Sequence, residues 1–272
     1  MDEAARALCR RLGVEDPRHI EIESKRRVRA EQAEDLREHL FGLKGVRHVR
    51  ESSFFDQYLD TPELTLLRAG ASLRLRYKGD GTYVYLQYKG PGFHEKGALF
   101  RSEFSSDRLA SAVREESHHD IVHFADISVM DILRRHSDPA MAGAMRRHLG
   151  ERTIARVNRG VILCLYRKDK FRFKIGDGVL EPSLDKLCAF HIRPAGLHPL
   201  STFWEFENEV KSEAIAFKLE RLDELRKFDS RLARRFDLPS EKLDKYHRCA
   251  AHFEPLRRPL KARRSKPGAA SA

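Results

Sequence analysis

Cysteine is scarce and badly placed for cross-linking. The chain has four, Cys9, Cys164, Cys188 and Cys249, widely spaced and without a C-x-x-C pair. That pattern excludes a disulfide framework and fits free thiols in a reducing cytosol. No apolar run reaches the ~18–20 residues of a membrane helix. Residues 1–11 are charged and lack a long apolar segment, so they do not read as a signal peptide. No P-loop, G-x-S-x-G or Rossmann pattern is present, which removes the commonest nucleotide-binding and serine-hydrolase readings. The single tryptophan, Trp204, reads as outer core beneath a helix and not as a stacking platform.

What the chain has in excess is charge. Of 272 residues, 34% are charged, above the usual quarter, while 41% are hydrophobic, enough for a real core. Lys and Arg number 52 against 41 Asp and Glu, a net charge of +11, and the isoelectric point is near 9.6. A polyanionic partner suits that balance: phosphate, nucleic acid or an acidic membrane surface. Part of the excess sits in the terminal run Arg257 to Lys266, which reads as a solvated, disordered tail.

Residues 2–12 read as a short amphipathic helix, 19–29 as a strand and 31–43 as a helix. Four strands follow at 54–59, 71–78, 82–89 and 98–104. Asp80-Gly81 marks one hairpin, and Gly90-Pro-Gly92 with Gly97 marks the next turn. Helical signals fill 107–150. Strand character resumes at 153–166, 171–175, 186–191 and 202–210, before a charged helix over 212–235. The expected division is a helix over 1–18, one domain over 19–252 and a tail over 253–272.

Side chains alternate across a strand. By that rule Glu21, Glu23, Lys25 and Arg27 share a face, as do Arg74 with Arg76, Tyr85 with Gln87 and Lys89, and Arg101 with Glu103. Glu205, Glu207 and Glu209 share another. A single strand of this kind is ordinarily solvated on its charged side. Five such strands sorted by sign, carboxylates on the first and last and bases between, point instead to a closed barrel with a polar interior. The apolar faces would then point outward, under the helices. About eight strands can enclose one small ligand. Bases alone would bind a polyphosphate. Crowded carboxylates repel one another unless a cation joins them, and Mg²⁺ takes carboxylate, phosphate and water oxygens. Bases with acids therefore suggest a metal–triphosphate complex and phosphoryl transfer to a water.

Several segments then resemble one family. Glu21-Ile-Glu-Ser-Lys25 is similar to the ExExK signature of CYTH domains, the triphosphate tunnel metalloenzymes. Phe55 to Pro62, Leu66 to Arg76, Gln87 to Pro91, Arg101-Ser-Glu103, Glu205-Phe-Glu207 and Asp244-Lys-Tyr246 resemble further family segments in the same order. The resemblance implies an α+β protein: an eight-stranded antiparallel tunnel, charged inside, helices outside, with Mg²⁺ or Mn²⁺. It implies metal ligands Glu21, Glu23, Glu205 and Glu207, with Glu205 and Glu207 catalytic, and a triphosphate grip of Lys25, Arg74, Arg76, Lys89, Arg101 and Lys245. Asn158-Arg159 resembles a pair in the polyphosphate-polymerase branch, which adds Arg159.

The chain also departs from the pattern. Gly176 precedes Asp177 where an apolar residue is expected, and Asp185 competes for that acidic position. Asp244 replaces the usual serine. His118, His119 and His123, flanked by Glu115, Glu116 and Asp120, read as a solvated helix face and not as a metal cluster. The expectation is a cytoplasmic, metal-dependent triphosphatase acting on a small-molecule triphosphate or polyphosphate. It needs no membrane and no nucleic acid, and its oligomeric state is open. Polyphosphate synthesis or nucleotide cyclisation is the alternative on the same fold, and a non-catalytic polyanion-binding module the alternative from another class.

Overall fold

In the computed structural model, residues 3–78, 84–109, 128–175, 178–211 and 215–252 are described. The Asp80-Gly81 turn, the histidine-rich helix face, Asp177 and the basic tail lie outside them. Among the described residues there are eight strands: β1 (Ile20–Val28), β2 (Val46–Asp60), β3 (Ser72–Lys78), β4 (Val84–Glu95), β5 (Ala98–Ser105), β6 (Arg159–Ile175), β7 (Gly178–Arg193) and β8 (Gly196–Lys211). Every pairing is antiparallel, and the ring closes in the order β1-β5-β4-β3-β2-β6-β7-β8, with β8 back on β1. The closed ring with a charged interior expected from alternation, and the eight antiparallel strands implied by the resemblance, are observed.

The apolar core lies outside the ring. Ile20, Ile22, Leu73, Leu75, Leu86 and Phe206 point outward and are fully buried. Helices cover them: α1 (Glu3–Leu12), α2 (Ala33–Gly42), α4 (Val129–His136), α5 (Pro139–Leu149) and α8 (Leu222–Phe236). Each presents an i, i+3 or i+4 stripe, such as Leu36 with Leu40 and Leu225 with Phe228 and Leu232. Full burial of one such side chain contributes about 1.5–3 kcal/mol. Among the described residues no helix is long and apolar enough to cross a membrane.

Three local expectations are corrected. Gly90-Pro-Gly92 is not a turn: β4 runs through it, with a register shift between Lys89 and Gly92. A Cβ on Gly90 would lie 2.3 Å from Ser102 Oγ, and one on Gly92 2.8 Å from the Phe100 carbonyl oxygen. These glycines permit close strand approach at a bulge. The reversal is Lys96-Gly97, with φ of 49° and 83°, the left-handed pair of a two-residue hairpin. The strands expected at 153–166 and 171–175 are one strand, β6, while Thr153 and Ile154 belong to the short helix α6 (Glu151–Ile154). The helix expected over 212–235 is two, α7 (Ile215–Glu220) and α8.

One end of the ring is filled by α9 (Lys245–Ala250), whose Tyr246 stacks on Tyr58 with ring centroids 4.8 Å apart. Asp60, at the end of β2, fixes this closure. Its carboxylate accepts from the backbone N–H of Thr61, Leu66 and Leu67 at 2.7, 2.9 and 3.0 Å, and from Tyr246 Oη at 2.8 Å. It therefore ties β2, α3 (Thr65–Arg68) and α9 together. Beside β1, where β5 has ended, residues 239–241 complete the edge: Arg27 N–H donates to Pro239 O and Glu241 N–H to Lys25 O. Replacing Asp60 with alanine orphans four buried donors, so chemical denaturation should show a loss of about 3 kcal/mol or more. An unchanged midpoint would contradict the closure described.

Candidate functional site

The inward side chains enclose a cavity of about 270 Å³. Its lining carries eleven Lys and Arg and seven carboxylates, so an excess of positive charge persists with every acid ionised. Of the seven expected grip residues, Lys25, Arg74, Arg76, Lys89, Arg101 and Lys245 line this cavity. Arg159 does not: it is exposed at the start of β6, outside the lining. Of the four expected acids, Glu21, Glu23 and Glu207 line it, and Glu205 does not. Glu205 is fully buried behind Lys245, with Lys245 Nζ and Arg248 Nη1 each 3.2 Å from it.

The bases arrive from different strands and are held by acids. Arg101 of β5 donates to Glu21 at 2.8 Å and to Glu23 at 2.7 Å. Lys89 of β4 donates to both oxygens of Glu21, at 2.8 and 2.7 Å. Lys25 lies 3.3 Å from Glu23 and 3.1 Å from Glu207. Lys245 reaches in from α9 to Glu207 at 2.5 Å, Asp185 at 3.0 Å and Glu205 at 3.2 Å. Arg74 and Arg76 are aligned on β3 by one carboxylate, Asp56 of β2. Asp56 Oδ2 accepts from Arg74 Nη1 and Arg76 Nη2, and Oδ1 from Arg76 Nε, all at 2.7 Å.

Burial and neighbours set the charge states. Burial opposes the Glu207 carboxylate, yet Lys245, Lys25 and Lys168 hold it well below the usual range. Glu205 is pushed up, because burial there outweighs Lys245 and Lys25. Burial works against Lys25, but Glu23 and Glu207 raise it. Glu209 is driven by burial up to about 7; Lys211 opposes, and Glu21 and Glu103 add to the rise.

That last group is where a cation fits. Glu21 of β1, Glu103 of β5 and Glu209 of β8 bring carboxylate oxygens within 4.8 Å of one another. Three crowded acids from three strands suit a hard divalent ion with oxygen ligands. Of the expected E-x-E pair, Glu207 lines the cavity and Glu205 does not, while Glu209, two residues beyond Glu207, does.

Lys168 lines the cavity and escaped sequence reasoning. Lys168 lies 3.1 Å from Glu207 and 3.5 Å from Asp185. Reading β6 as one strand places Tyr166, Lys168 and Lys170 on one face, so the signal was hidden by a false break at 167–170. Asp185, one of two candidates for the uncertain acidic position, is fully buried between Lys168 and Lys245. Asp56 carried no sequence signal, because its role depends on pairing with β3.

The sequence matches the CYTH domain profile over residues 19–175. None of the curated proteins matches. Among solved structures, a Hippeastrum protein assigned as an adenylyl cyclase and described as having a dominant triphosphatase activity superposes with a TM-score of 0.55 at 17% identity, over 85% of this chain and 95% of that one. A Pyrococcus horikoshii protein gives 0.48 at 18% identity, over 85% and 98%. A Bacillus halodurans protein assigned as an adenylate cyclase gives 0.46 at 20% identity, over 85% and 97%.

If Glu209 completes the cation site, Glu209→Gln should weaken Mn²⁺ binding at least about tenfold in a paramagnetic resonance titration, for loss of a charged ligand. Arg159→Ala should leave tripolyphosphate affinity unchanged in calorimetry. The reverse pattern would move the site.

Proposed function

The chain belongs to the CYTH domain family, and from that premise we propose that its tunnel binds a small-molecule triphosphate together with a divalent cation and hydrolyses it. The observation that carries this reading is convergence: six bases from four strands and one helix face a carboxylate cluster across one cavity. A bare polyanion-binding module would gain nothing from acids that repel its ligand. The activity described for the Hippeastrum protein supports the same direction.

On this reading Lys25, Arg74, Arg76, Lys89, Arg101 and Lys245 bind the phosphate oxygens, the three arginines through parallel hydrogen bonds. Binding substitutes phosphate for part of the carboxylate pairing that these bases have now. Glu21, Glu103 and Glu209 would hold Mg²⁺ or Mn²⁺, with Glu23 as a further candidate. The cation, when bound, would neutralise developing charge on the phosphate oxygens. Glu207, kept ionised by three lysines, is the base for the attacking water: it accepts the water's proton as oxygen bonds to the terminal phosphorus and the remaining diphosphate leaves. Glu205, buried and pushed toward its neutral form, supports Lys245 and does not meet the water. The free cysteines accord with a cytoplasmic setting.

Purified protein should release phosphate from tripolyphosphate with Mg²⁺ or Mn²⁺ and stop on addition of chelator. Glu207→Ala should abolish turnover while leaving tripolyphosphate bound. Arg76→Ala should mainly weaken binding, by about 1.5–3 kcal/mol for a lost charge-assisted hydrogen bond. Turnover that survives chelation, or a Glu207→Ala enzyme of normal rate, would overturn the reading.

A further inference from the structure

Asp244 stands where the family resemblance leads one to expect serine, and it is not idle. Its Oδ1 accepts from the backbone N–H of His247 at 2.8 Å and lies 2.7 Å from the ring Nδ1. Its Oδ2 accepts from Arg101 Nη1 at 3.1 Å. The other ring nitrogen, His247 Nε2, lies 2.8 Å from the carbonyl oxygen of Leu67 in α3. A carbonyl oxygen cannot donate, and neither can a carboxylate. Both ring nitrogens must therefore donate, which only the imidazolium can do.

The surroundings agree. Burial opposes charge on Asp244, but His247, Arg101 and Lys25 hold its carboxyl far below the usual range, so Asp244 does not supply the shared proton. Burial likewise opposes charge on His247, but Asp244 and the Leu67 carbonyl raise it, with Arg101 of β5 in opposition. Asp244 and Arg101 are thus the charged groups with the largest effect on the ring. On α9 the Tyr246 ring stands edge-on to it at 5.8 Å.

We propose that His247, as an imidazolium clamped between Asp244 and α3, is a positioning residue that sets Lys245 and Arg101 in the triphosphate grip. Lys245 is two residues away on α9, and Arg101 shares the Asp244 carboxylate. Loss of the proton removes one of the two hydrogen bonds. Asp244 keeps the backbone cap in either tautomer, and what is lost is either its bond to the ring or the tie from α9 to α3. Tyr246 remains bonded to Asp60, so α9 loosens without leaving. Because the folded-state pKa is raised, the contribution is complete below the ordinary histidine value of ~6.5 and is lost as pH rises through the folded value. The inference rests on the proposed triphosphate reading only for its affinity readout.

The test is calorimetric binding of tripolyphosphate with Mg²⁺ to the full chain in a Glu207→Ala background, so that nothing turns over, with and without His247→Gln from pH 5.5 to 9. Comparison at each pH cancels the ionisation of the ligand. The variant should bind about tenfold more weakly at pH 6 and equally near pH 9, as expected for one charge-assisted hydrogen bond. A gap of the same size at every pH means a merely structural role and overturns the proposal. In parallel, the His247 ring resonances, identified by their absence in His247→Gln, should titrate above the ordinary value in wild type and lower in Asp244→Asn. A titration at or below the ordinary value overturns the clamp whether or not tripolyphosphate binds. If no form binds tripolyphosphate, the triphosphate reading fails, and with it the role given to Lys245, while the ring titration still decides the clamp.

Discussion

The interior of this protein depends on mutual neutralisation of buried charge. Lys25, Arg101 and Lys245 would each be prohibitively costly to bury alone, as would Glu21, Glu23 and Glu207. Together they form one connected set of ion pairs across the ring. Removing one partner leaves an uncompensated buried charge. Such a lattice adds little net stability, because desolvation consumes most of the Coulomb gain. On the proposed function, a polyanion with a cation would replace part of this internal pairing.

Stability must then come from elsewhere, which explains the inverted layout. The apolar surface is on the outside of the ring, and helices from every part of the chain pack over it. The N-terminal helix contributes Leu8 and Leu12 to the same core as α8 contributes Phe228 and Leu232. Closing one end needs separate chemistry. Asp60 gathers three backbone N–H groups and a tyrosine hydroxyl, and His247 adds a second tie between α9 and α3. Those two ties place Lys245 and Tyr246 at the closed end. Asp56 does the equivalent for Arg74 and Arg76 on the opposite wall. Asp60 and Asp56 thus act through carboxylates whose oxygens are engaged by several donors each.

Much of the strand pattern was legible because it is local. Period-two alternation at 20–28, 72–78 and 98–105 needs only neighbouring residues, and it sorted Glu21, Glu23, Arg74, Arg76 and Arg101 onto the correct face. Strand ends were less legible. Glycine and proline at 90–92 look like a reversal in sequence, and only the approach of Ser102 and Phe100 shows them to be spacing for a neighbouring strand. The polar run 167–170 looks like a gap, yet the ring needs a long wall there. Asp56 looked like any charge beside aromatics until β3 was paired to it.

The sequence by itself determined which residues could face inward, since side-chain direction along a strand follows from backbone geometry alone. It also determined the excess of bases and the free thiols. Tertiary structure decided which inward residues meet. Glu205, Glu207 and Glu209 are equivalent by alternation, but the closure of β8 onto β1 and the entry of α9 leave Glu205 walled off, Glu207 among lysines and Glu209 beside Glu21 and Glu103. The reason is physical: alternation is set within one strand, whereas depth, dielectric and neighbouring charge are set by strands far apart in sequence.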